Sequence, residues 1–116
     1  MSSALTAAVQ QLQEDRAVVA LAGAMDFEST GELSELLLDL LRRGHRHLVL
    51  EMSEVGFCDS SGLSALVRVL RQAKADQGSL ALVAPTEPVE RLLLITEVST
   101  VISRYPTVEL ALRSSS

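Results

Sequence analysis

Residues 57–63, Phe57-Cys58-Asp59-Ser60-Ser61-Gly62-Leu63, are the stretch from which the fold can be read. An apolar β-like run, Leu48-Val49-Leu50, comes shortly before them, and Leu63, Leu66, Val67 and Leu70 follow at helical spacing. The stretch is therefore a strand-to-helix junction. A hydroxyl at such a junction can act as an N-cap, bonding an amide that the first helical turn leaves unpaired, while staying open to solvent at the end of a sheet. The same amides and the helix dipole favour an added anion such as phosphate. Ser60 accordingly has two readings: a plain helix cap, and a reversible phosphorylation site whose bare form binds a partner.

Working upstream, His45-Arg46-His47 reads as a short loop into a strand over Leu48 to Met52. Before it, Leu33, Leu36, Leu37, Leu40 and Leu41 form one broad apolar helical stripe, with Ser34 and the charged residues largely opposite. Ser29 and Glu32 have the spacing of a capping box, and Gly44 is placed as the stop. Ala17-Val18-Val19-Ala20-Leu21-Ala22 is nearly continuously apolar, as in a strand covered on both faces. The looser alternation over Leu5 to Gln13 suits an edge strand, joined to it as an antiparallel hairpin through Glu14-Asp15-Arg16.

Downstream, the helix after the junction runs to about Gln77 and stops at Gly78, its outer face carrying Ser64, Arg68, Arg71 and Lys74. Leu80 to Val83 is a further buried strand. Thr86 is the expected cap of a helix reaching about Thr96, with Pro88 tolerated in its first turn. Val101 to Tyr105 reads as a last strand and Thr107 to Arg113 as a final helix, before a short Ser-rich tail. The order is ββαβαβαβα, an α/β single domain over residues 1–116 with a core from about 5 to 113. The later strands are parallel because helices join them, and right-handed crossovers put the helices mainly on one face of a mixed sheet.

Composition narrows the function. Of the 116 residues, 47% are hydrophobic and only 3% aromatic, so the core is aliphatic. A net charge of −5 provides no basic footprint for nucleic acid or an anionic membrane. Cys58 is the only cysteine and cannot form an internal disulfide; with no apolar run approaching ~18 residues, the chain reads as a soluble cytoplasmic protein with no membrane insertion.

A serine between strand and helix also resembles the nucleophile elbow of hydrolases, but the G-x-S-x-G pattern is absent. A serine nucleophile needs a base within reach, and the only histidines, His45 and His47, precede the intervening strand. Extended chain from His47 to Ser53 alone covers roughly 20 Å at ~3.3 Å per residue. Two histidines without a third ligand make no metal site, Cys58 reads as a small inward-packed group, and neither nucleotide-binding glycine motif occurs. The chain is thus expected to be no enzyme and to need no cofactor. Asp26 has two readings of its own, a turn residue bonding nearby amides and a contact for a partner.

The run Phe57-Cys58-Asp59-Ser60-Ser61-Gly62-Leu63 closely resembles the signature of bacterial anti-sigma factor antagonists, single-domain members of the STAS superfamily. The resemblance extends to Ala22-Gly23-Ala24-Met25-Asp26, similar to the family's G-x-x-D turn, to Leu48 through Ser53, and to Tyr105-Pro106-Thr107 with Glu109 and Ala111. It implies that Ser60, the first hydroxyl after the motif aspartate, is phosphorylated by an anti-sigma factor that is itself a serine kinase of histidine-kinase-like fold. The bare form would bind that anti-sigma factor and free the sigma factor, and a PP2C-type phosphatase would restore it. Asp26, Asp59, Ser61, Gly62 and Ser64 are the implied contacts beside Ser60. The alternative within the superfamily is a constitutive subunit of a lipid-transport ATPase complex or of a stress-signalling assembly.

Overall fold

The computed structural model describes residues 5–114, and the strand and helix order is the expected one. β1 (Thr6–Gln13) and β2 (Arg16–Met25) form an antiparallel hairpin, followed by α1 (Thr30–Arg42) and β3 (His47–Cys58). Then come α2 (Ser60–Ala75), β4 (Ser79–Val83), α3 (Glu87–Leu94), a short 3-10 helix (Glu97–Thr100), β5 (Ser103–Tyr105) and α4 (Val108–Ser114). From β2 onward all neighbours are parallel, and the order across the sheet equals the order along the chain.

That order fixes the layers. Each crossover steps to the next strand in the same direction, so right-handed connections place α1, α2 and α3 on one face. There Leu21, Met25, Leu50 and Met52 of the sheet meet Leu33, Leu37, Leu66, Val69, Val89 and Leu93. On the other face Val18, Val49, Ala81 and Val83 pack with Ala111, Val108 and Leu112 of α4. Covering on both faces is why β2 and β4 read as unbroken apolar runs. β1, at the edge, is exposed along its whole length and carries a bulge between Val9 and Gln11.

Several local expectations are revised. In α1, Leu33, Leu37, Leu40 and Leu41 are buried but Leu36 is only half-buried, while Ser34 and Leu38 are buried as well. The buried face is turned toward α2, whose Arg68 and Gln72 border the same groove as Leu38 and Leu41. The Ser29–Glu32 capping box does not form: Ser29 has helical backbone angles, and its hydroxyl donates to the Ala24 carbonyl at 2.8 Å. Thr86 stands at the cap position of α3, yet its hydroxyl donates to the Val55 carbonyl at 2.6 Å and not to the helix.

His47 belongs to β3 and not to a loop; it is buried, with Nδ1 2.8 Å from the Ser79 hydroxyl. α2 stops at Ala75, with Gln77 in the left-handed region at φ 63°. Gly78 is needed because a Cβ there would collide with the Arg46 carbonyl. The last strand is only three residues long, preceded by the 3-10 helix. The Ser-rich tail lies partly outside the described residues, and α4 continues through Ser114.

The largest revision concerns β3, which runs six residues past Met52 to Cys58. β4 pairs with it only as far as Glu51, opposite Val83. Beyond that point β3 pairs with β2 alone, through two register shifts that each add a residue to β3, ending at Met25 opposite Cys58. The two strands thus form a ribbon that projects past β4, and the functional stretch sits at its tip.

Candidate functional site

The tip brings two distant parts of the sequence together. The Asp59 amide donates to the Met25 carbonyl at 3.2 Å, so the turn after β2 and the start of α2 are joined through backbone. Asp59 takes extended backbone angles (φ −106°, ψ −171°) and is the N-cap of α2. Its Oδ1 accepts from the Ser61 amide at 2.9 Å and the Gly62 amide at 3.1 Å. A carboxylate at this position satisfies two first-turn donors and complements the helix dipole. The cap is therefore Asp59, not Ser60.

Ser60 is the first residue of the helix, and it is exposed. Its hydroxyl has no hydrogen-bond partner among the described residues. The amides expected to receive an anion there are already occupied by Asp59, apart from that of Ser60 itself. Ser61 is half-buried, and Ser64 is exposed one turn further along α2, beside Val67, Arg68, Arg71 and Gln72.

Gly62 is buried for a steric reason. A Cβ there would lie 2.7 Å from Cys58 Sγ and 2.8 Å from the Met25 carbonyl oxygen. The absence of a side chain lets α2 press its first turn onto the ends of β2 and β3. Gly62 is thus a packing residue that sets how far Ser60 projects.

Asp26 performs the turn role: its Oδ1 accepts from the amides of Glu28 and Ser29, both at 3.1 Å. It is half-buried, leaving the rest of its carboxylate at the surface next to the β3–α2 junction. Cys58 is half-buried, and burial together with the neighbouring Asp59 charge pushes its thiol up to about 11. A neutral thiol is a poor nucleophile.

The histidines are remote. β3 runs twelve residues from His47 to Cys58, roughly 35 Å of strand at ~3.3 Å per residue, which separates them from Ser60. Among the described residues, no three His, Cys, Asp or Glu side chains group to hold a metal ion. No helix among them is long and apolar enough to cross a membrane.

Two residues at the tip escaped the reading of the sequence as site residues. Phe27 and Phe57 are both exposed beside Asp26 and Asp59. The available signal was compositional: they are the only two phenylalanines in a chain whose core is aliphatic.

Against known proteins, the family model described as STAS domain matches residues 7–111. A Thermotoga neapolitana protein provisionally named an anti-sigma factor antagonist, TM1081 homolog, is 35% identical over 74 residues, covering 64% of this chain. That match spans 66% of the relative's own length. The crystal structure of TM1081 from Thermotoga maritima, also provisionally named an anti-sigma factor antagonist, superposes with a TM-score of 0.78 at 28% identity over 89% of both chains. The anti-sigma factor antagonist SpoIIAA in its unphosphorylated form has a TM-score of 0.81 at 18% identity, covering 92% of this chain and 93% of its own. SpoIIAA of Bacillus in its phosphorylated form has 0.75 at 16%, covering 93% and 97%. The likeness to SpoIIAA is one of fold.

Proposed function

Because the chain belongs to the STAS domain family, we propose that it acts in the cytoplasm as an anti-sigma factor antagonist switched at Ser60. With Ser60 bare, it binds an anti-sigma factor that is also a serine kinase of histidine-kinase-like fold, and a sigma factor is freed. Phosphorylation of Ser60 by that kinase breaks the complex, and a PP2C-type phosphatase reverses the step. In the transfer, Ser60 Oγ bonds to the γ-phosphorus of ATP, the bond to ADP breaks, and the hydroxyl proton leaves to a base on the kinase.

The observation that carries this reading is the exposed, unbonded hydroxyl of Ser60 at the first position of α2. Ser61, half-buried one residue on, is a poorer substrate. Support also comes from the names of the relatives, and from SpoIIAA being described in both phosphorylated and unphosphorylated forms.

The capping geometry says where a phosphate acts. It adds about −1.5 to −2 charges at pH 7. With the amides of Ser61 and Gly62 held by Asp59, and that carboxylate adjacent, the phosphate projects into solvent and leaves the helix end as it was. Its effect falls on the interface. A dianion pressed against a surface shaped for a neutral hydroxyl must lose water without matching partners, a cost of several kcal/mol. Asp26, Asp59, Ser61 and Ser64 frame that surface, and Gly62, buried beneath them, acts on it through the packing of the first turn of α2.

The test is mass spectrometry of the protein incubated with ATP and each anti-sigma kinase of the same genome, scoring Ser60 against Ser61. Modification at Ser60, lost in Ser60→Ala, and abolition of binding in Ser60→Asp with unchanged thermal stability are expected. Equal binding by Ser60→Asp and wild type refutes the switch. Recovery of a transporter ATPase in place of a kinase would put a constitutive subunit role in its stead.

A further inference from the structure

An aliphatic interior with space for phenyl rings would take them in, because a ring removes a large apolar area from water. In this chain both phenylalanines stay outside, Phe27 80% exposed and Phe57 51% exposed, while Leu, Val, Ala and Met fill the core. Both stand on the projecting tip. Phe57 pairs with Ala24 on the ribbon beyond the reach of β4, and Phe27 follows Ala24 by three residues in the turn before α1.

They are close enough to act together. Three residues extend at most about 11 Å, and paired strands lie about 4.8 Å apart, so the two Cα atoms are within about 16 Å of each other. An interface patch of about 800 Å² per partner is about 30 Å across, enough to cover both rings and Ser60, three residues beyond Phe57.

Both are also held in place. Phe57 is on a paired strand, and the turn carrying Phe27 is closed by the Asp26 carboxylate and by the Ser29 hydroxyl on the Ala24 carbonyl. A backbone already ordered gives up little freedom on docking, which leaves only the ring rotamers to be fixed. Around them, Asp26, Glu28, Glu54 and Asp59 take part in no ion pair among the described residues. Their field selects a cationic rim on whatever covers the rings.

We propose that Phe27 and Phe57 are the apolar anchors of the partner interface, and that the anti-sigma surface they enter is an apolar groove bordered by Arg or Lys side chains. The proposal rests on the reading of Ser60 as the switch in that interface. The rings give the bare form its grip, and the carboxylates give it orientation and on-rate.

The experiment titrates the anti-sigma kinase that modifies Ser60 with wild type, Phe27→Ser, Phe57→Ser, Ser60→Asp and Val101→Ser. Val101 is the control: 56% exposed, and just before β5 at the end of the sheet away from Ser60. Each phenylalanine variant is expected to bind about thirty-fold more weakly or worse, the loss typical of a central anchor, with a melting temperature near wild type. Val101→Ser should bind as wild type does, and wild-type association should slow steeply as salt rises. If both phenylalanine variants bind like wild type while Ser60→Asp does not, the anchors are refuted and the switch stands. Salt-independent association refutes the cationic rim. If no kinase of the genome modifies or binds the wild type, the Ser60 reading fails and the anchors with it.

Discussion

Replacing Asp59 by alanine removes both hydrogen bonds at the start of α2, those to the Ser61 and Gly62 amides at 2.9 and 3.1 Å. Loss of an N-cap costs about 1–2 kcal/mol, and the upper half of that range applies where one carboxylate oxygen serves two donors at a packed helix end. An unfolding entropy of about 2.1 cal/mol/K per residue gives about 0.24 kcal/mol/K for 116 residues, so Asp59→Ala should lower the melting temperature by about 6–8 °C. Ser60→Ala should move it by less than about 2 °C, because the hydroxyl it deletes is exposed and unbonded. Asp59→Asn, which keeps the acceptor and drops the charge, should fall between them. Thermal and urea unfolding of the three variants, read by circular dichroism, make the comparison. If Ser60→Ala loses as much as Asp59→Ala, the assignment of the cap to Asp59 is wrong, and with it the account of why a phosphate on Ser60 leaves the scaffold intact.

Gly62→Ala should destabilise by about 1–3 kcal/mol through overpacking, even though alanine is the better helix former. Because its Cβ meets both Cys58 Sγ and the Met25 carbonyl, adding Cys58→Ala should restore only part of that loss in a double-mutant cycle. Thr86→Val should cost about 1–2 kcal/mol by orphaning the Val55 carbonyl, and should speed amide exchange along the projecting end of β3, measured by hydrogen-exchange mass spectrometry. Alkylation of Cys58 by iodoacetamide should rise with pH to a midpoint near 11, not near the value of a free thiol. The linked stability has a definite sign. Folding disfavours the thiolate, so the contribution is fully present below the ordinary value of 9.0 and is lost as pH rises toward about 11. Cys58→Ala should remove that dependence from the alkaline unfolding curve.

The order of elements was legible because hydrophobic periodicity is a local property. The runs at Ala17–Ala22 and Leu80–Val83, the leucine stripe of α1 and the junction at residues 57–63 each declare themselves within a window of a few residues. Once strands alternate with helices, parallel pairing and helices gathered on one face follow from the handedness of the connections. Even the projection of Ser60 follows from its place between strand and helix.

What sequence spacing left open was how each polar side chain is used, since Ser29, Asp59, Ser60 and Thr86 all stand where a cap can stand. Backbone angles and neighbours from elsewhere in the chain made the choice. Ser29 turns back to Ala24, Thr86 reaches Val55 thirty-one residues away, and only Asp59 bonds the amides of its own helix. Ser53-Glu54-Val55-Gly56 has no strand pattern, and becomes strand because β2 offers it a ladder beyond the end of β4. The sequence by itself determined the alternation of strands and helices and the position of the serine. The tertiary structure alone decided that Asp59 and not this serine caps the helix, and that the serine stands on a ribbon running past β4, because pairing and hydrogen-bond partners are chosen by the packing of the whole sheet.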